Sequence, residues 1–242
     1  SLPYIAANLQ CKDWTVKPGR LVERDGLRVA FIGVVGPGTF GPCEASSAVP
    51  AVAKAIRELG DADLHVLLSH QPIEHDLSIV DSVSEIDVVV NGHGRSQFEQ
   101  PRALGMNAIQ LAAGTQGKRL GVAQITVRDG AVGFEIEGAQ AAAMERLKVL
   151  QQRVRRARER MEAEQDESAR NRADQRHRRL MAEAAEVEQR LAVYASNEDA
   201  VQNLVANRLV DLSDDVEDDP VVLQMLNTAK EKIEAAKTVM QP

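Results

Sequence analysis

Glycine, proline and aromatic residues are missing from most of the C-terminal half of this 242-residue chain. All 16 glycines lie between Gly19 and Gly138, and no proline occurs between Gly138 and Pro220. Of the seven aromatic residues, only Tyr194 lies beyond Phe134. Because glycine and proline mark turns and interrupt helices, their absence predicts long helices after residue 138. The chain therefore combines two architectures.

Long apolar runs and an excess of positive charge are also lacking. No segment approaches the ~20 consecutive apolar residues of a membrane span, and no signal-peptide pattern opens the chain. The formal net charge is −7, which gives no general basis for binding nucleic acid or an anionic membrane. We therefore expect neither partner. The chain begins SLPYIAANLQ without a methionine, so we expect a processed or excised piece whose compartment the sequence leaves open.

Cysteine is scarce, since the chain contains only Cys11 and Cys43. They lie far apart in the sequence and form no C-x-x-C spacing, which argues against a zinc knuckle, a redox motif or a disulfide-stapled scaffold. We expect two ordinary thiols.

The first 138 residues alternate apolar runs with turn residues. Residues 27–35 form a nearly continuous β-rich run, typical of a strand buried on both faces, and residues 47–59 carry apolar side chains at helical spacing. Further strands are predicted at 63–68, 86–90, 108–113, 121–127 and 131–136, with a short helical pattern at 74–84. This alternation predicts a layered α/β domain whose early strands are parallel and whose last strands pair antiparallel.

After Ala141 the apolar spacing changes to that of heptads. One block runs from Leu147 to Met161 and a second from Leu180 to Tyr194, whereas residues 166–179 contain almost no large apolar side chain. The pattern predicts an antiparallel helical hairpin that folds back near Asn171. The alternative is one continuous helix of ~75 Å.

Two charged clusters lie in the C-terminal half. Arginines concentrated between residues 153 and 179 could form a phosphate-binding stripe, but interleaved glutamates and the lack of aromatic neighbours favour a solvated helix face. The run from Asp211 to Asp219 holds six acids ahead of Pro220. Acids at this position suit a helix N-terminus better than a calcium site.

His70 and His93 are the residues at which we most expect chemistry. Each follows a predicted parallel strand, and ligands of layered α/β sheets collect at the carboxyl ends of the strands. Neutral imidazoles are good ligands for zinc, manganese or iron, although a lone histidine at a strand end is more often structural. His65, His75 and His177 show no comparable partner.

Five short segments of the sequence form recognisable motifs. They are Ser69-His70-Gln71 with Asp76, Ile86 to His93, Ala113-Gly114 with Gly117 and Leu120-Gly121, Ala6 to Leu9 with Asp25 to Gly33, and Leu212 to Ile233. Together they resemble the calcineurin-like metallophosphoesterases, specifically their 5′-nucleotidase branch. The resemblance covers roughly residues 1–138 and 207–237.

This resemblance implies a metallophosphatase-like fold, half of a layered β-sandwich with flanking helices, and a dinuclear centre of divalent zinc, manganese or iron. It implies hydrolysis of a small-molecule phosphate ester, such as a nucleotide, by a metal-bound hydroxide, with His70 and His93 as metal ligands. It also implies a periplasmic or other extracytoplasmic location. The motifs do not separate the nucleotidases from the family's sulfur-compound hydrolases.

The sequence departs from the family pattern in three respects. The family's first three metal motifs would precede Ser1, so we expect this polypeptide alone to be inactive. Arg95 stands where the family has a second ligand, and a guanidinium cannot coordinate a cation because it has no free lone pair. Arg95 could instead bind a substrate phosphate, or mark a site that has lost one metal. In the latter case the chain is a non-catalytic scaffolding module whose helical arm recruits partners.

The third departure is the helical block itself, which divides the chain into three parts. We predict the C-terminal part of a catalytic domain at residues 1–140, an inserted antiparallel coiled-coil hairpin at 141–203, and a return strand and helix at 204–242 that pack on the catalytic domain. The hairpin could pair with a second copy or a partner protein, or form a self-contained arm.

Overall fold

The computed structural model describes residues 4–196, 201–213 and 216–239. Its strands are β1 (Leu9–Cys11), β2 (Gly19–Arg24), β3 (Leu27–Val35), β4 (Gly38–Phe40), β5 (Cys43–Ala45), β6 (Leu64–His70), β7 (Val88–Asn91), β8 (Arg102–Leu104), β9 (Ala108–Leu111), β10 (Arg119–Thr126), β11 (Phe134–Ile136) and β12 (Asn203–Asp211). Its α-helices are α1 (Ala48–Leu59), α2 (Asp76–Ser82), α3 (Ala139–Ala163), α4 (Glu167–Ser196) and α5 (Pro220–Val239), and a 3₁₀ turn spans Ile73–His75.

The centre of the fold is a six-stranded sheet with the order β2-β3-β6-β7-β9-β8. Its four inner strands are parallel, and the edge strands β2 and β8 run antiparallel to their neighbours. The helix α1 connects β3 to β6 and α2 connects β6 to β7, as the sequence pattern predicts. Since parallel strands end at the same edge, the carboxyl ends of β6 and β7 lie side by side there.

Both faces of the central sheet are buried, which explains the nearly continuous apolar runs. On one face Ile32 and Leu67 pack against the two helices, through side chains such as Val52 and Ile79. On the other face a second cluster contains Leu64, Val66, Val88, Ile109, Leu111 and Val205. The result is a layer of helices, a six-stranded sheet and a smaller sheet, which confirms the mixed α/β layering predicted from the sequence.

The smaller sheet has the order β10-β12-β11 and corrects one prediction. The turn at Asp129-Gly130 separates β10 from β11, but these two strands do not pair with each other. Instead β12 lies between them, antiparallel to β10 and parallel to β11. Local turn chemistry favours a hairpin, yet the long β12 offers β10 eight paired residues, from Arg119↔Asp211 to Thr126↔Leu204.

A third sheet, β1-β5-β4, corrects the prediction of two ordinary thiols, which is wrong. Cys11 and Cys43 are directly opposite each other in the antiparallel pair β1 and β5, and their sulfurs form a disulfide. Their separation of 32 residues in sequence does not predict this disulfide, because the pairing depends on strand register rather than on local spacing.

The helices α3 and α4 pack against each other as a hairpin with a small apolar seam. Leu150, Ala184 and Val187 are buried in this seam, and Leu147, Leu180, Leu191 and Tyr194 pack around them. The continuous-helix alternative is therefore wrong for this structure. The predicted turn position near Asn171 is also wrong, because α4 already begins at Glu167. Asp166 precedes α4 and stabilises its first turn, because its carboxylate accepts a hydrogen bond from the backbone N–H of Ala169 at 2.7 Å.

The helix α5 begins where the acidic run predicts a helix N-terminus. The carboxylate of Asp219 accepts hydrogen bonds from the backbone N–H groups of Val221 and Val222, at 2.9 and 3.0 Å. Asp214 and Asp215 of the acidic run lie outside the described residues. The side chains of α5 from Pro220 to Ile233 are exposed, so its packing on the first domain stays a prediction.

Within the described ranges, no helix combines the length and the apolar character needed to cross a membrane.

Candidate metal centre

The two histidines that the sequence singles out lie next to each other. His70 is the last residue of β6, and His93 follows the end of the neighbouring strand β7. Their ring centroids are 5.1 Å apart with the ring planes almost perpendicular, and both side chains are exposed to solvent. Two imidazoles at this spacing can direct nitrogen lone pairs towards a shared position at the edge of the sheet.

A buried carboxylate lies directly beneath this edge. Asp76, the first residue of α2, is fully buried and accepts hydrogen bonds from four side chains. Its Oδ1 accepts from Ser69 Oγ at 2.6 Å and from Gln71 Nε2 at 3.1 Å. Its Oδ2 accepts from Asn91 Nδ2 at 2.7 Å and from Gln110 Nε2 at 2.8 Å. Four donors of this kind compensate a carboxylate for the loss of water.

These hydrogen bonds hold the backbone on both sides of His70 and at the N–H group of His93. Ser69 and Gln71 flank His70 in the sequence, and both donate to Asp76. Asn91 donates to Asp76, while its own Oδ1 accepts a hydrogen bond from the backbone N–H of His93 at 2.9 Å. The Asp76 network therefore fixes the backbone positions from which both imidazole side chains project.

Further hydrogen bonds link the two loops that carry the histidines. The backbone N–H of Gly92 donates to the carbonyl oxygen of Ser69 at 2.8 Å, and Asn91 Nδ2 donates to the carbonyl oxygen of Gln71 at 3.0 Å. The backbone N–H of Gly36, which follows β3, donates to the carbonyl oxygen of His70 at 3.0 Å. The ends of three neighbouring strands are thus tied together around His70.

The remaining histidines do not join this pair. His65 lies at the opposite end of β6, where its Nδ1 is 3.8 Å from the Asp87 carboxylate and its Nε2 is buried without a hydrogen-bond partner among the described residues. His75 lies in the exposed turn before α2, and His177 lies on α4 in the helical hairpin.

The pair alone is an incomplete metal site. Among the described residues, no group of three or more histidine, cysteine, aspartate or glutamate side chains comes close enough to hold a metal ion. Asp76 does not contribute a ligand, because its carboxylate oxygens are buried and already accept four hydrogen bonds. The two imidazoles therefore suit part of a metal site, and the donors that would complete it are not in this part of the structure.

Arg95 lies two residues beyond His93 and is exposed. It lines a cavity of about 320 Å³ together with Gln97, Thr115 and Lys118, whereas neither His70 nor His93 lines this cavity. In the parts of the chain that the structure describes, Arg95 forms no ion pair. Its guanidinium is therefore available to an anion.

A third cation at this cavity already has a partner. Arg119 Nε donates a hydrogen bond to Asp211 Oδ1 at 2.5 Å across the pair of strands β10 and β12. This hydrogen bond, together with the negative charge of Asp211, raises the pKa of the Arg119 guanidinium above its ordinary value. Asp211 thus neutralises Arg119, whereas Arg95 and Lys118 form no ion pair with any residue that the structure describes.

Asp76 lies within a sequence motif that indicates no role for it, and Gln110 lies in no motif. The available signal is weak: each is one polar residue beside apolar ones, Asp76 at the start of α2 and Gln110 within the buried strand β9. Buried polar side chains usually have a hydrogen-bond partner. The sequence therefore suggests that Asp76 and Gln110 each have one, but it does not show that they bind each other.

The chain was compared with known proteins. No family profile matches it. The metallophosphoesterase YunD of Bacillus subtilis (strain 168), described as uncharacterized, is 30% identical to it over 138 residues, which are 52% of this chain and 29% of that protein. Among solved structures, the sulfate thiohydrolase SoxB of Thermus thermophilus shares 19% identity over 53% of this chain and 26% of its own, with a TM-score of 0.47. The NAD nucleotidase NadN of Haemophilus influenzae shares 19% identity over 50% of this chain and 30% of its own, with a TM-score of 0.41.

The match to YunD confirms the resemblance to a metallophosphoesterase for about half of the chain. The mixed α/β layering described above fits a metallophosphatase-like fold. The chain spans less than a third of the length of the curated relative that it matches.

Proposed function

We propose that this chain contributes part of the active site of a metal-dependent phosphoester hydrolase of the 5′-nucleotidase type. The observation that carries the proposal is the pair of adjacent imidazoles, His70 and His93, anchored from below by the buried Asp76. Their backbone positions are held by hydrogen bonds while their side chains are exposed at the edge of the sheet, which is the arrangement expected of binding side chains on rigid elements.

His70 and His93 would hold a divalent cation in this proposal. When bound, such a cation polarises a phosphoryl oxygen and lowers the pKa of water, which are the two requirements of phosphoester hydrolysis. The protein's own contribution is to hold both imidazoles in place through Ser69, Gln71 and Asn91. Since two ligands do not complete a dinuclear centre, we expect this polypeptide alone to be inactive.

Arg95 is proposed to bind the phosphate of the substrate. Its guanidinium is exposed, unpaired within the described ranges and close in sequence to His93, and guanidinium groups bind phosphate oxygens in a bidentate manner. This role explains an arginine at a position where the family pattern has a metal ligand. It is consistent with a phosphate ester as the substrate, such as a nucleotide.

The domain boundaries predicted from the sequence become part of this proposal. Residues 1–140 and 204–242 belong to the catalytic unit, and the helical block 141–203 is an inserted coiled-coil arm. Because Leu150, Ala184 and Val187 are already buried between the two helices, we propose a self-contained arm rather than one whose heptad seam joins a second copy. The disulfide between β1 and β5 supports an extracytoplasmic location, since disulfides persist mainly in oxidising compartments.

Metal binding tests the proposal directly. Titration of this polypeptide with Co²⁺, followed by its visible absorption, should show binding that weakens at least about tenfold in both His70→Ala and His93→Ala, because each removes a ligand. His177→Ala on the helical hairpin is the matched control and should bind Co²⁺ like the wild type. Unchanged affinity in both site variants would remove the two histidines from the centre and favour the scaffolding alternative.

Activity provides the second test. Hydrolysis of a nucleoside monophosphate should be undetectable with this polypeptide and metal-dependent in a polypeptide extended by the residues encoded before Ser1. In the extended protein, Arg95→Gln should raise KM more than it lowers kcat, because the proposed contact is to bound substrate. Robust metal-dependent turnover by the 242-residue chain itself would contradict the expectation that its site is incomplete.

A further inference from the structure

The arginines of the helical hairpin divide into two groups that the sequence does not distinguish. Arg158, Arg178 and Arg179 each pair with an acid on their own helix, namely Glu162 at 2.8 Å, Asp174 at 2.9 Å and Glu183 at 3.4 Å. A second set faces one groove between the two helices, near the closed end of the hairpin. This set, which we call the groove arginines, consists of Arg153, Arg156, Arg160, Arg172 and Arg176.

The groove arginines lack anionic partners. In the ranges that the structure describes, none of them forms an ion pair, and no acidic residue lines the groove. The floor is formed by Ala157, Ala173 and Leu180, so the short alanine side chains leave an open space of about 610 Å³ between the cations. The five arginine side chains are exposed and are gathered on one side of the seam.

This arrangement is electrostatically unfavourable without a ligand. Three arginines from α3 at spacings of three and four residues lie on one helical face, opposite two from α4 that are four residues apart. Like charges facing each other across a helix pair raise its free energy, particularly at low salt. A multiply charged anion between the helices removes this repulsion and gains bidentate hydrogen bonds from the guanidinium groups.

We propose that the groove arginines form a binding site for a compact anion that carries several linked phosphates. The volume of the groove lies within the usual ~300–1,000 Å³ of small-molecule sites. Five positive charges around a groove of this size match the dense negative charge of a phosphate chain better than the dispersed carboxylates of an acidic peptide. No aromatic residue lines the groove, so it offers no stacking surface for a base, and recognition rests on the phosphates.

Calorimetric titration of the whole 242-residue chain with inorganic tripolyphosphate tests this proposal. A chelator is included so that no metal at the histidine pair contributes to binding. We expect saturable binding that weakens at least about tenfold in the double variant Arg156→Gln/Arg172→Gln, since hydrogen bonds to charged groups are individually strong. The double variant Arg155→Gln/Arg170→Gln removes the same charge from exposed positions outside the groove and should bind like the wild type.

A nucleoside triphosphate is the second ligand of the test and should bind about as tightly as tripolyphosphate. Much tighter binding of the nucleotide would overturn the assignment to the phosphates alone. Absence of tripolyphosphate binding, or an equal loss in both double variants, would overturn the site itself.

Thermal unfolding of the hairpin gives an independent readout that does not require the ligand. Followed by circular dichroism at 222 nm in low salt, Arg156→Gln/Arg172→Gln should melt at a higher temperature than the wild type, because it relieves repulsion. Tripolyphosphate should raise the melting temperature of the wild type and leave that of the variant nearly unchanged. A variant that melts lower than the wild type without ligand would contradict the electrostatic argument.

Discussion

Replacing the buried Asp76 carboxylate by an amide should destabilise the protein far more than its small change in shape suggests. In Asp76→Asn the new amide nitrogen must face either the Ser69 and Gln71 donors or the Asn91 and Gln110 donors. In each orientation the new NH₂ group faces two existing donors, so two of the four hydrogen bonds are lost. The variant preserves volume, so a cavity contributes almost nothing to the effect.

The size of the effect follows from those two hydrogen bonds. A hydrogen bond to a charged group contributes about 1.5–3 kcal/mol, so losing two costs about 3–6 kcal/mol. Rotation of the Gln71 or Gln110 amide can restore part of this by presenting its oxygen. We therefore expect the free energy of unfolding to fall by about 3–5 kcal/mol, a large part of the stability of a typical domain.

Urea unfolding measures this change. Circular dichroism at 222 nm reports on the helices, and the fluorescence of Trp14, the single tryptophan of the chain, reports on the loop after β1. Asp81→Asn, at an exposed position of the same helix α2, is the control and should stay within about 0.5 kcal/mol of the wild type. If Asp76→Asn is also within about 1 kcal/mol of the wild type, the four hydrogen bonds do not anchor this edge of the sheet.

Gly33, the disulfide and the apolar seam of the hairpin can each be tested by unfolding experiments. Gly33→Ala should destabilise the fold by more than about 2 kcal/mol in urea unfolding, because its Cβ would overlap the carbonyl oxygen of Ile5, whereas Gly36→Ala, with neighbours at 3.7 Å, should be nearly neutral. Reducing the disulfide between β1 and β5 should lower the midpoint of urea unfolding by the equivalent of about 3–4 kcal/mol, and thiol titration of the unreduced protein should find no free thiol. Leu150→Ala should cost about 2–5 kcal/mol and lower the melting temperature of the helices by circular dichroism, while Val193→Ala, at a residue that is 55% exposed, should not. A neutral Leu150→Ala would mean that the hairpin seam contributes little.

Local periodicity predicts the inner strands of the central sheet and the helices between them, but not the edge strands β2 and β8. The prediction of a strand at 27–35 matches β3 (Leu27–Val35), and the predicted helix at 47–59 matches α1 (Ala48–Leu59). Both signals are strong because each element is buried along its length and bounded by turn residues. The sequence pattern predicts the hairpin turn at too high a residue number, because the polar start of α4 resembles a loop. The charged residues in this segment are nevertheless good helix formers.

Features that depend on distant parts of the chain could not be predicted in this way. The Cys11–Cys43 disulfide requires the register of β1 against β5, and the position of β12 between β10 and β11 requires a pairing across the whole hairpin. At the candidate site, the sequence placed His70 and His93 at strand ends but did not give their 5.1 Å separation. The Asp76 network brings together polar residues from three strands, and no local pattern links them.

The position of the hairpin between β11 and β12 makes its length adjustable. These strands are parallel neighbours, so the hairpin leaves the carboxyl end of β11 and returns to the amino end of β12 within one sheet. Removing seven residues from each helix would keep the apolar seam in register and leave both strand pairings unchanged. Shortening both helices by whole heptads would therefore bring the groove arginines closer to the sheet in steps of about 10 Å.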